Sequence, residues 1–229
     1  MSDLACHCGK RGALFAKNDG SNKLIRYHLC REHLNLERVK AEELQDPIFP
    51  PNIPAIFVDT DTTRLHPKIQ ECLDWNPAGD KTGLLLHGTT GVGKTRGIWE
   101  VVRRLWCLEA KKDKQLPFHF LTMRNLEGMI EKSFGERHHA TMMETIIETK
   151  LLVLDDFGKE RLTQRMASDL FSIIDERSTN RRATIISTNF NGQTLLERFD
   201  SRDKETGVAM IRRFKDYYRI VGIGAELPQ

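Results

Sequence analysis

A glycine-rich turn between an apolar run and a helical pattern restricts the fold more than any other feature of the sequence. The apolar run is "TGLLL", the turn is "HGTTGVGKT", and "RGIWEVVRRLW" follows it directly. Apolar residues then recur at the spacing of an amphipathic helix, at Ile98, Val101, Val102, Leu105 and Trp106. The order strand, glycine loop, helix is typical of a loop that binds an anionic group at a helix N-terminus.

The turn itself fits the pattern G-x-x-x-x-G-K-[ST] of a phosphate-binding loop. Its residues are Gly88, Thr89, Thr90, Gly91, Val92, Gly93, Lys94 and Thr95. Glycines let such a loop turn tightly and direct its N–H groups at phosphate oxygens. Lys94 is placed to reach the β- and γ-phosphates, and the Thr95 hydroxyl is placed to bind Mg²⁺. The loop therefore predicts a nucleotide site.

Five short apolar runs predict the strands of the fold. They span residues 83–87, 118–122, 151–154, 184–188 and 218–223. None alternates clearly between apolar and polar residues, as expected of strands that are covered on both faces. Helical patterns separate them, including one at Met166, Leu170, Ile173 and Ile174. Strands that alternate with helices predict an α/β fold with a parallel sheet and helices on both faces.

Polar side chains stand at the ends of two of these strands. The stretch "LLVLDDFG" ends its apolar run in Asp155 and Asp156. Asp155 would lie beside the loop as a partner of Mg²⁺, and Asp156 could orient or deprotonate an attacking water. Two adjacent carboxylates repel one another, so the pair fits a bound cation. The next strand, "ATIISTN", ends in Asn189, which could hold the water or contact the γ-phosphate. Hydrolysis is the predicted reaction.

Composition excludes several classes of protein. Of the 229 residues 39% are hydrophobic and 29% are charged, as in globular chains. The sequence contains no run of 18 apolar residues and no apolar signal region, so we expect neither a membrane span nor export. Five cysteines without a signal favour a reducing compartment, and the cytoplasm is expected. A net charge of +3 is low for a nucleic-acid coat protein, although local basic contacts remain open.

The chain is predicted to have three parts. Residues 1–46 form a small polar module, residues 47–61 a proline-rich linker, and residues 62–229 the nucleotide-binding domain. The linker contains Pro47, Pro50, Pro51 and Pro54, so an extended chain is expected there.

The N-terminal module has the residues for a zinc site. Two close pairs, Cys6 with Cys8 and Cys30 with His33, supply four ligands of the kind that tetrahedral Zn²⁺ prefers. A module this small and polar needs such a metal to fold. The first spacing is shorter than C-x-x-C, so His7 and His28 are alternative ligands, and reduced thiols in a flexible arm are the alternative state. Such a module would hold a protein partner. Cys72 and Cys107 lie in apolar patterns and are expected to be buried.

Four stretches resemble the AAA+ ATPases of the DnaC/DnaI helicase-loader group, to which the transposition helper IstB is related. They are "GLLLHGTTGVGKT", "FHFLTMRNL", "LLVLDDFGKERLTQRMASDLFSIIDERSTNRRATIISTNF" and "GVAMIRRF". The resemblance covers about residues 62–223. It implies the strand order 5-1-4-3-2, ATP bound between the subunits of a nucleotide-dependent homo-oligomer, a replicative hexameric helicase as partner, and contact with single-stranded DNA.

The resemblance also implies roles for individual residues. Lys94 and Thr95 take the Walker A roles, Asp155 and Asp156 the Walker B roles, and Asn189 that of sensor I. Arg213 in "MIRRF" falls at the sensor II arginine, where it would neutralise charge on the γ-phosphate. The family often has an arginine finger four residues earlier, where this chain has Ala209. Trans-activation could therefore be weak, or the finger could have moved, with three candidates: Arg198, Arg202 and Arg212.

Several functions share this set of residues. The leading hypothesis is an ATP-dependent loader of a replicative helicase, because a zinc-binding module suits a protein partner. An IstB-like transposition helper would have the same ATPase residues and would act on duplex DNA with a transposase. A small-molecule kinase would have the same loop, but paired acids with Asn189 suit activation of water better. A nucleotide-dependent adaptor with little turnover is a further alternative, consistent with Ala209.

Overall fold

The computed structural model describes residues 13–18, 24–29, 50, 53–58, 60–79, 81–110, 116–133, 136–159, 163–199 and 204–224. The chain divides into two compact units. One unit contains the N-terminal hairpin and the segment Val102–Leu116, and the other comprises Thr60–Val101 with Pro117–Gln229. The second unit contains the large sheet.

An antiparallel hairpin lies in the segment predicted as a zinc module. Strand β1 is Ala13–Asn18 and strand β2 is Leu24–Leu29, with Ala13 paired to Leu29 and Asn18 paired to Leu24. The predicted zinc ligands Cys6, Cys8, Cys30 and His33 lie outside the described residues. The zinc site therefore stays a prediction.

One part of the proline-rich segment is helical. Helix α1 is Ala55–Val58, and the Phe57 N–H donates to the Pro54 carbonyl at 2.9 Å. The prediction of an extended chain is wrong for these four residues, because a proline fits the first turn of a helix and can therefore start one. A 3₁₀ turn, Thr62–Arg64, and helix α2, Pro67–Gln70, follow.

Five parallel strands form the large sheet. Their bounds are β3 Gly83–Gly88, β4 Phe118–Thr122, β5 Leu151–Phe157, β6 Ala183–Thr188 and β7 Tyr218–Ile223. The order is β4-β5-β6-β3-β7. Counted within this sheet and read from the β7 edge, that order is 5-1-4-3-2, so the predicted order and the α/β class are confirmed. The loop-bearing strand β3 lies between β6 and β7.

Six further helices accompany the sheet in the described residues. They are α3 Lys94–Ala110, α4 Met123–Lys132, α5 Glu136–Glu148, α6 Gln164–Thr179, α7 Gly192–Leu196 and α8 Lys204–Tyr217. Side-chain oxygens cap three of them. Thr122 accepts from the Asn125 N–H, Thr163 from the Met166 N–H, and Asn191 forms a capping box with Thr194. These caps fix where α4, α6 and α7 begin, and α4 follows β4 directly.

The apolar residues of the strands and helices form one core in the second unit. All four residues from Leu151 to Leu154 of β5 are fully buried, as are Leu170 and Ile173 of α6. The Phe214 ring of α8 packs edge-on against Phe157 at 5.8 Å and against Tyr218 at 5.1 Å between ring centroids. Both faces of β5 are therefore covered, which explains its continuous apolar sequence.

A buried guanidinium ties α5, α6 and β6 together. Arg177 of α6 is fully buried. It donates to the carbonyls of Ile146, Ile147 and Thr149, at and just beyond the C-terminus of α5, over 2.7 to 3.0 Å, and to the Thr184 hydroxyl at 2.9 Å. Burial lowers the pKa of Arg177 to about 10. The guanidinium satisfies carbonyls that have no partner within the helix.

The sequence predicted that Cys72 and Cys107 are buried and that the chain has no membrane span. Cys72 and Cys107 are both buried, which confirms the prediction for them. No helix within the described ranges is long and apolar enough to span a bilayer.

Candidate functional site

The phosphate-binding loop joins β3 to α3 with a tight backbone. Gly91 and Gly93 both have φ of 88°, a left-handed conformation that side chains with a Cβ rarely adopt. Lys94 and Thr95 follow as the first residues of α3. The N–H groups of the first helical turn therefore point back toward the loop, which favours an anion there.

Lys94 joins the loop to the end of β6. Its ammonium donates to the carbonyls of Gly88 at 2.7 Å and Thr89 at 2.9 Å, and to the Asn189 Oδ1 at 2.8 Å. Only 6% of Lys94 is exposed, and burial lowers the pKa of its ammonium, although Asp156 and Asp155 oppose this effect. The structure thus brings together two of the predicted site residues, Lys94 and Asn189.

Asp155 lies directly beside Thr95. The Thr95 hydroxyl is 3.0 Å from the Asp155 Oδ2 and 3.2 Å from its Oδ1. Asp155 is 6% exposed, and burial raises the pKa of its carboxyl group, partly offset by hydrogen bonds from Ser187 and Thr95. The end of β5 and the start of α3 therefore place a hydroxyl and a carboxylate in contact.

A break in the pairing of β5 with β6 lies at the two acids, which differ in their exposure to solvent. The register shifts between Leu154 and Phe157, and Asp156 has φ of 59°. A bulge of this kind changes the direction of a side chain at the end of a strand. The Asp156 carboxylate is partly exposed and pairs with the Lys159 ammonium at 3.0 Å. Asp155 is thus held inside the site, whereas Asp156 reaches its solvent side.

Ser187 belongs to the site and was not predicted. Its hydroxyl donates to the Asp155 Oδ1 and accepts from the Asp156 N–H at 3.0 Å, and Ser187 is fully buried. One side chain of β6 therefore contacts both acids. The signal in the sequence is a lone serine inside the apolar run "ATIIS", since a buried hydroxyl needs a partner.

The donor set of Thr95 and Asp155 fits Mg²⁺. Both residues present hard oxygen atoms, and Mg²⁺ is commonly bound by one or two protein oxygens together with substrate phosphates. Within the described residues no lysine or arginine forms an ion pair with the buried Asp155 carboxylate. The described ranges also hold no group of three or more histidine, cysteine or acidic residues suited to a metal. The contact between their oxygen atoms makes Thr95 and Asp155 the candidate magnesium ligands.

The predicted sensor II arginine contacts other residues. The Arg213 Nε donates to the Asp175 Oδ1 at 2.5 Å, and its guanidinium lies 6.0 Å from the centre of the Tyr217 ring. Among the described residues no hydrogen bond joins Arg213 to the loop. Its role as sensor II therefore stays a prediction. Ala209, at the position where the family often has its arginine finger, lines a cavity of about 430 Å³. Phe171 of α6 and Val208 of α8 line the same cavity.

The three candidate fingers differ in their surroundings. Arg212 is largely exposed and lies 3.7 Å from Asp216, and Arg202 is outside the described residues. Arg198 donates to the carbonyls of Gly158 and Lys159, just after the acid pair. Of the two candidates that the structure describes, Arg198 is the one that lies beside a predicted site residue.

The chain is similar to proteins of two kinds. It is 30% identical over 146 residues to an ATP-binding protein of an insertion sequence from Mycobacterium tuberculosis, covering 59% of this chain and 53% of that protein. It is 23% identical over 126 residues to the replicative helicase loader DnaI of Bacillus subtilis, covering 55% of this chain and 39% of that protein. The chain thus spans about half or less of the length of these relatives.

The fold is also shared with a solved structure. A crystal structure of DnaI matches with a TM-score of 0.57 at 18% identity, and the match covers 75% of this chain and 95% of that chain. The resemblance to the DnaC/DnaI and IstB group, which four stretches of sequence carry, is therefore confirmed. The model of the IstB-like ATP binding proteins matches residues 65–227, which contain the loop, both acids and Asn189. This chain belongs to the family of IstB-like ATP binding proteins.

Proposed function

We propose that this protein binds ATP with Mg²⁺ and hydrolyses it. The observation that carries this proposal is the contact of the Thr95 hydroxyl with the Asp155 carboxylate, beside the contact of Lys94 with Asn189. These four side chains come from α3 and from the ends of β5 and β6. Their positions suit a nucleotide that lies across the carboxyl ends of the strands.

Each residue has a separate task in this proposal. Lys94 binds the β- and γ-phosphates, and Thr95 and Asp155 hold Mg²⁺, which would neutralise phosphate charge when bound. Asp156, on the solvent side, accepts a proton from the attacking water. Asn189 orients that water or contacts the γ-phosphate. We keep Arg213 as the proposed sensor II residue, which would have to exchange Asp175 for phosphate.

Two variants test the assignment. Lys94→Ala should abolish ATP binding in equilibrium titration, since the phosphate-binding loop loses its cation. Asp156→Asn should bind ATP as the wild type does but hydrolyse it about 100-fold more slowly, which is the usual scale of a lost general base. An equal loss of binding in both variants would contradict these roles.

The proposed use of ATP is to load or remodel a replicative hexameric helicase on single-stranded DNA. Sequence similarity to the helicase loader DnaI supports this partner. Binding of ATP between subunits would make the assembly a nucleotide-dependent homo-oligomer.

A second candidate is a transposition helper that acts on duplex DNA with a transposase. Its support is the similarity to the insertion-sequence protein, which is 30% identical as against 23% for DnaI. Both candidates fit the same ATPase site. The family match leaves the small-molecule kinase without support.

One experiment separates the two candidates. The purified chain, with ATP or without it, is used to capture the replicative helicase of its own source and, in parallel, a transposase encoded beside its gene. ATP-dependent capture of the helicase together with single-stranded DNA would support the loader. Capture of the transposase with duplex DNA would support the helper. The Lys94→Ala variant is the control, because it should lose the effect of ATP in either case.

We also propose that the chain divides into three parts, after residues 46 and 61, and that the first part binds zinc. Zinc bound by Cys6, Cys8, Cys30 and His33 would hold the segment on both sides of the β1–β2 hairpin. We expect one zinc ion per chain by elemental analysis and its loss in Cys30→Ser. Metal-free wild-type protein, or a Cys30→Ser variant with unchanged zinc, would rule out this site.

A further inference from the structure

Arg198 holds the turn that carries Asp156. Its Nε donates to the Gly158 carbonyl at 3.0 Å, and one Nη donates to the Lys159 carbonyl at 2.8 Å. Its guanidinium lies 5.2 Å from the centre of the Phe190 ring, which supports it from one face. The planar fork of an arginine suits two neighbouring acceptors of this kind.

The turn has few other conformations open to it. The Lys159 N–H donates to the Asp156 carbonyl at 3.1 Å, and both Asp156 and Gly158 have positive φ, of 59° and 77°. A Cβ added at Gly158 would lie 2.6 Å from the Leu195 Cδ1, so α7 packs closely on the turn. A left-handed aspartate persists only where surrounding contacts stabilise it. Arg198 supplies two of these contacts.

The same segment also carries Asn189. Thr188 donates to the Phe157 carbonyl at 2.6 Å, Phe190 lies under Arg198, and α7 leads to Arg198 itself. The residues from Thr188 to Arg198 thus hold the acid turn at both ends.

We propose that Arg198 is a positioning residue of its own subunit, which aims the Asp156 carboxylate at the attacking water, and that it is not a finger for a neighbouring subunit. This inference rests on the proposed ATPase function. A finger would have to leave two backbone carbonyls and an aromatic ring, and the turn would lose its support when it did so.

Kinetics of Arg198→Ala and Arg198→Lys test the role of the side chain. Arg198→Ala should lower kcat about 10- to 100-fold with KM for ATP nearly unchanged, because misaimed groups slow chemistry without weakening substrate binding. Arg198→Lys keeps the charge but lacks the fork and should recover only part of the rate. Arg124→Ala, which changes an exposed arginine on α4, is the control and should retain the wild-type kcat. An unchanged kcat in Arg198→Ala would overturn the proposal.

Mixed assemblies separate action within a subunit from action between subunits. Arg198→Ala has an intact phosphate loop, and Lys94→Ala has an intact Arg198, so a finger acting between subunits would restore turnover when the two are mixed. We expect no recovery at any ratio. Recovery would identify Arg198 as a finger and overturn the proposal.

Hydrogen exchange provides a readout that needs no turnover. Amides of Asp156–Lys159 should exchange about tenfold faster or more in Arg198→Ala, because the turn loses two hydrogen bonds. A tenfold change corresponds to about 1.4 kcal/mol in the free energy of local opening. The control Arg124→Ala should leave the exchange rates unchanged. Unchanged exchange in Arg198→Ala would overturn the inference about the turn. A wild-type protein that hydrolyses no ATP, but whose turn opens in Arg198→Ala, would overturn the proposed function instead.

Discussion

The ammonium of Lys94 and the side-chain oxygen of Asn189 are 2.8 Å apart, although 95 residues separate them in the chain. One residue begins α3 and the other follows β6. Because β3 and β6 are neighbours in the sheet, their carboxyl ends bring the loop and the asparagine to one place. The site is therefore a direct product of the strand order.

Ser187→Ala should weaken the binding of Mg²⁺, because Ser187 orients the proposed magnesium ligand Asp155. The change leaves the Asp156 N–H without its acceptor and removes a donor from Asp155. Groups that orient a metal ligand typically contribute 10- to 100-fold in metal affinity. We expect the Mg²⁺ concentration for half-maximal ATPase activity to rise about tenfold in a magnesium titration. Ser168→Ala, at an exposed position of α6, should leave it unchanged, and an unaltered Mg²⁺ dependence in Ser187→Ala would refute the prediction.

Asp155→Asn should stabilise the protein when nucleotide and Mg²⁺ are absent. Burial raises the pKa of the Asp155 carboxyl above its ordinary value of 3.8, so the charged form opposes folding at neutral pH. The contribution of this group to stability is complete below pH 3.8 and is lost as the pH rises through the raised pKa. Asparagine removes the charge and keeps an oxygen acceptor.

The measurement for Asp155→Asn is the free energy of unfolding by urea at several pH values. The variant should exceed the wild type at pH 7, and the difference should narrow as the pH falls toward 4. Asp156→Asn is the matched comparison and should gain less, because its carboxylate is more exposed. A wild type that is more stable than Asp155→Asn at pH 7 would show that the carboxylate stabilises the fold.

Arg177→Met should destabilise the second unit without touching the nucleotide site. Methionine fills similar space but leaves the carbonyls of Ile146, Ile147 and Thr149 without donors. With about 1–3 kcal/mol for each buried group that loses its partner, we expect a loss of about 3 kcal/mol or more. Thermal unfolding should show a decrease in Tm of about 6–12 °C. Arg177→Lys, with three donors in place of five, should have a Tm between those of the wild type and Arg177→Met. A Tm unchanged in Arg177→Met would contradict this account.

Two helical glycines should respond to alanine in opposite directions. A Cβ at Gly97 of α3 would lie 2.2 Å from the Ile69 Cγ2, whereas a Cβ at Gly128 of α4 has no atom within 4 Å. Gly97→Ala should cost about 1–3 kcal/mol through overpacking. Gly128→Ala should gain about 0.5–1 kcal/mol from helix propensity.

Chemical denaturation measures both alanine variants. Leucine has no Cγ2 branch, so Ile69→Leu should reduce the cost of Gly97→Ala, and the double variant should be more stable than the sum of the single changes. Strict additivity would show that Ile69 is not the obstacle.

The sequence predicted the parts of the fold that repeat a simple pattern. The interior strands β3, β5 and β6 were found because they are mostly buried and therefore largely apolar, as in "LLVL" of β5, whereas the edge strands β4 and β7 are only partly buried. The β1–β2 hairpin was not predicted, because its strands "ALFAKN" and "LIRYHL" are short and mix apolar with charged residues. The short helix after Pro54 was missed because proline also fits an extended chain.

The sequence predicted which residues would lie in the site, but not how their side chains are arranged. Lys94, Thr95, Asp155 and Asn189 were predicted because the sequence places them where elements of an α/β fold begin or end. The different exposures of Asp155 and Asp156 are accompanied by a bulge and by a left-handed φ at Asp156, which no residue pattern specifies. The contacts of Ser187 and Arg198 depend on neighbours distant in the chain, so they required coordinates.

The interior position of β3, between β6 and β7, has a consequence for biosynthesis. Gly83 pairs with Thr184 on one side and with Tyr218 on the other, so β3 leaves the ribosome long before either neighbour has been made. Until then its three leucines stay unpaired and open to wrong association, as is common for proteins dominated by distant contacts. If the loop binds ATP as proposed, nucleotide can stabilise this sheet only after β6 and β7 have been synthesised.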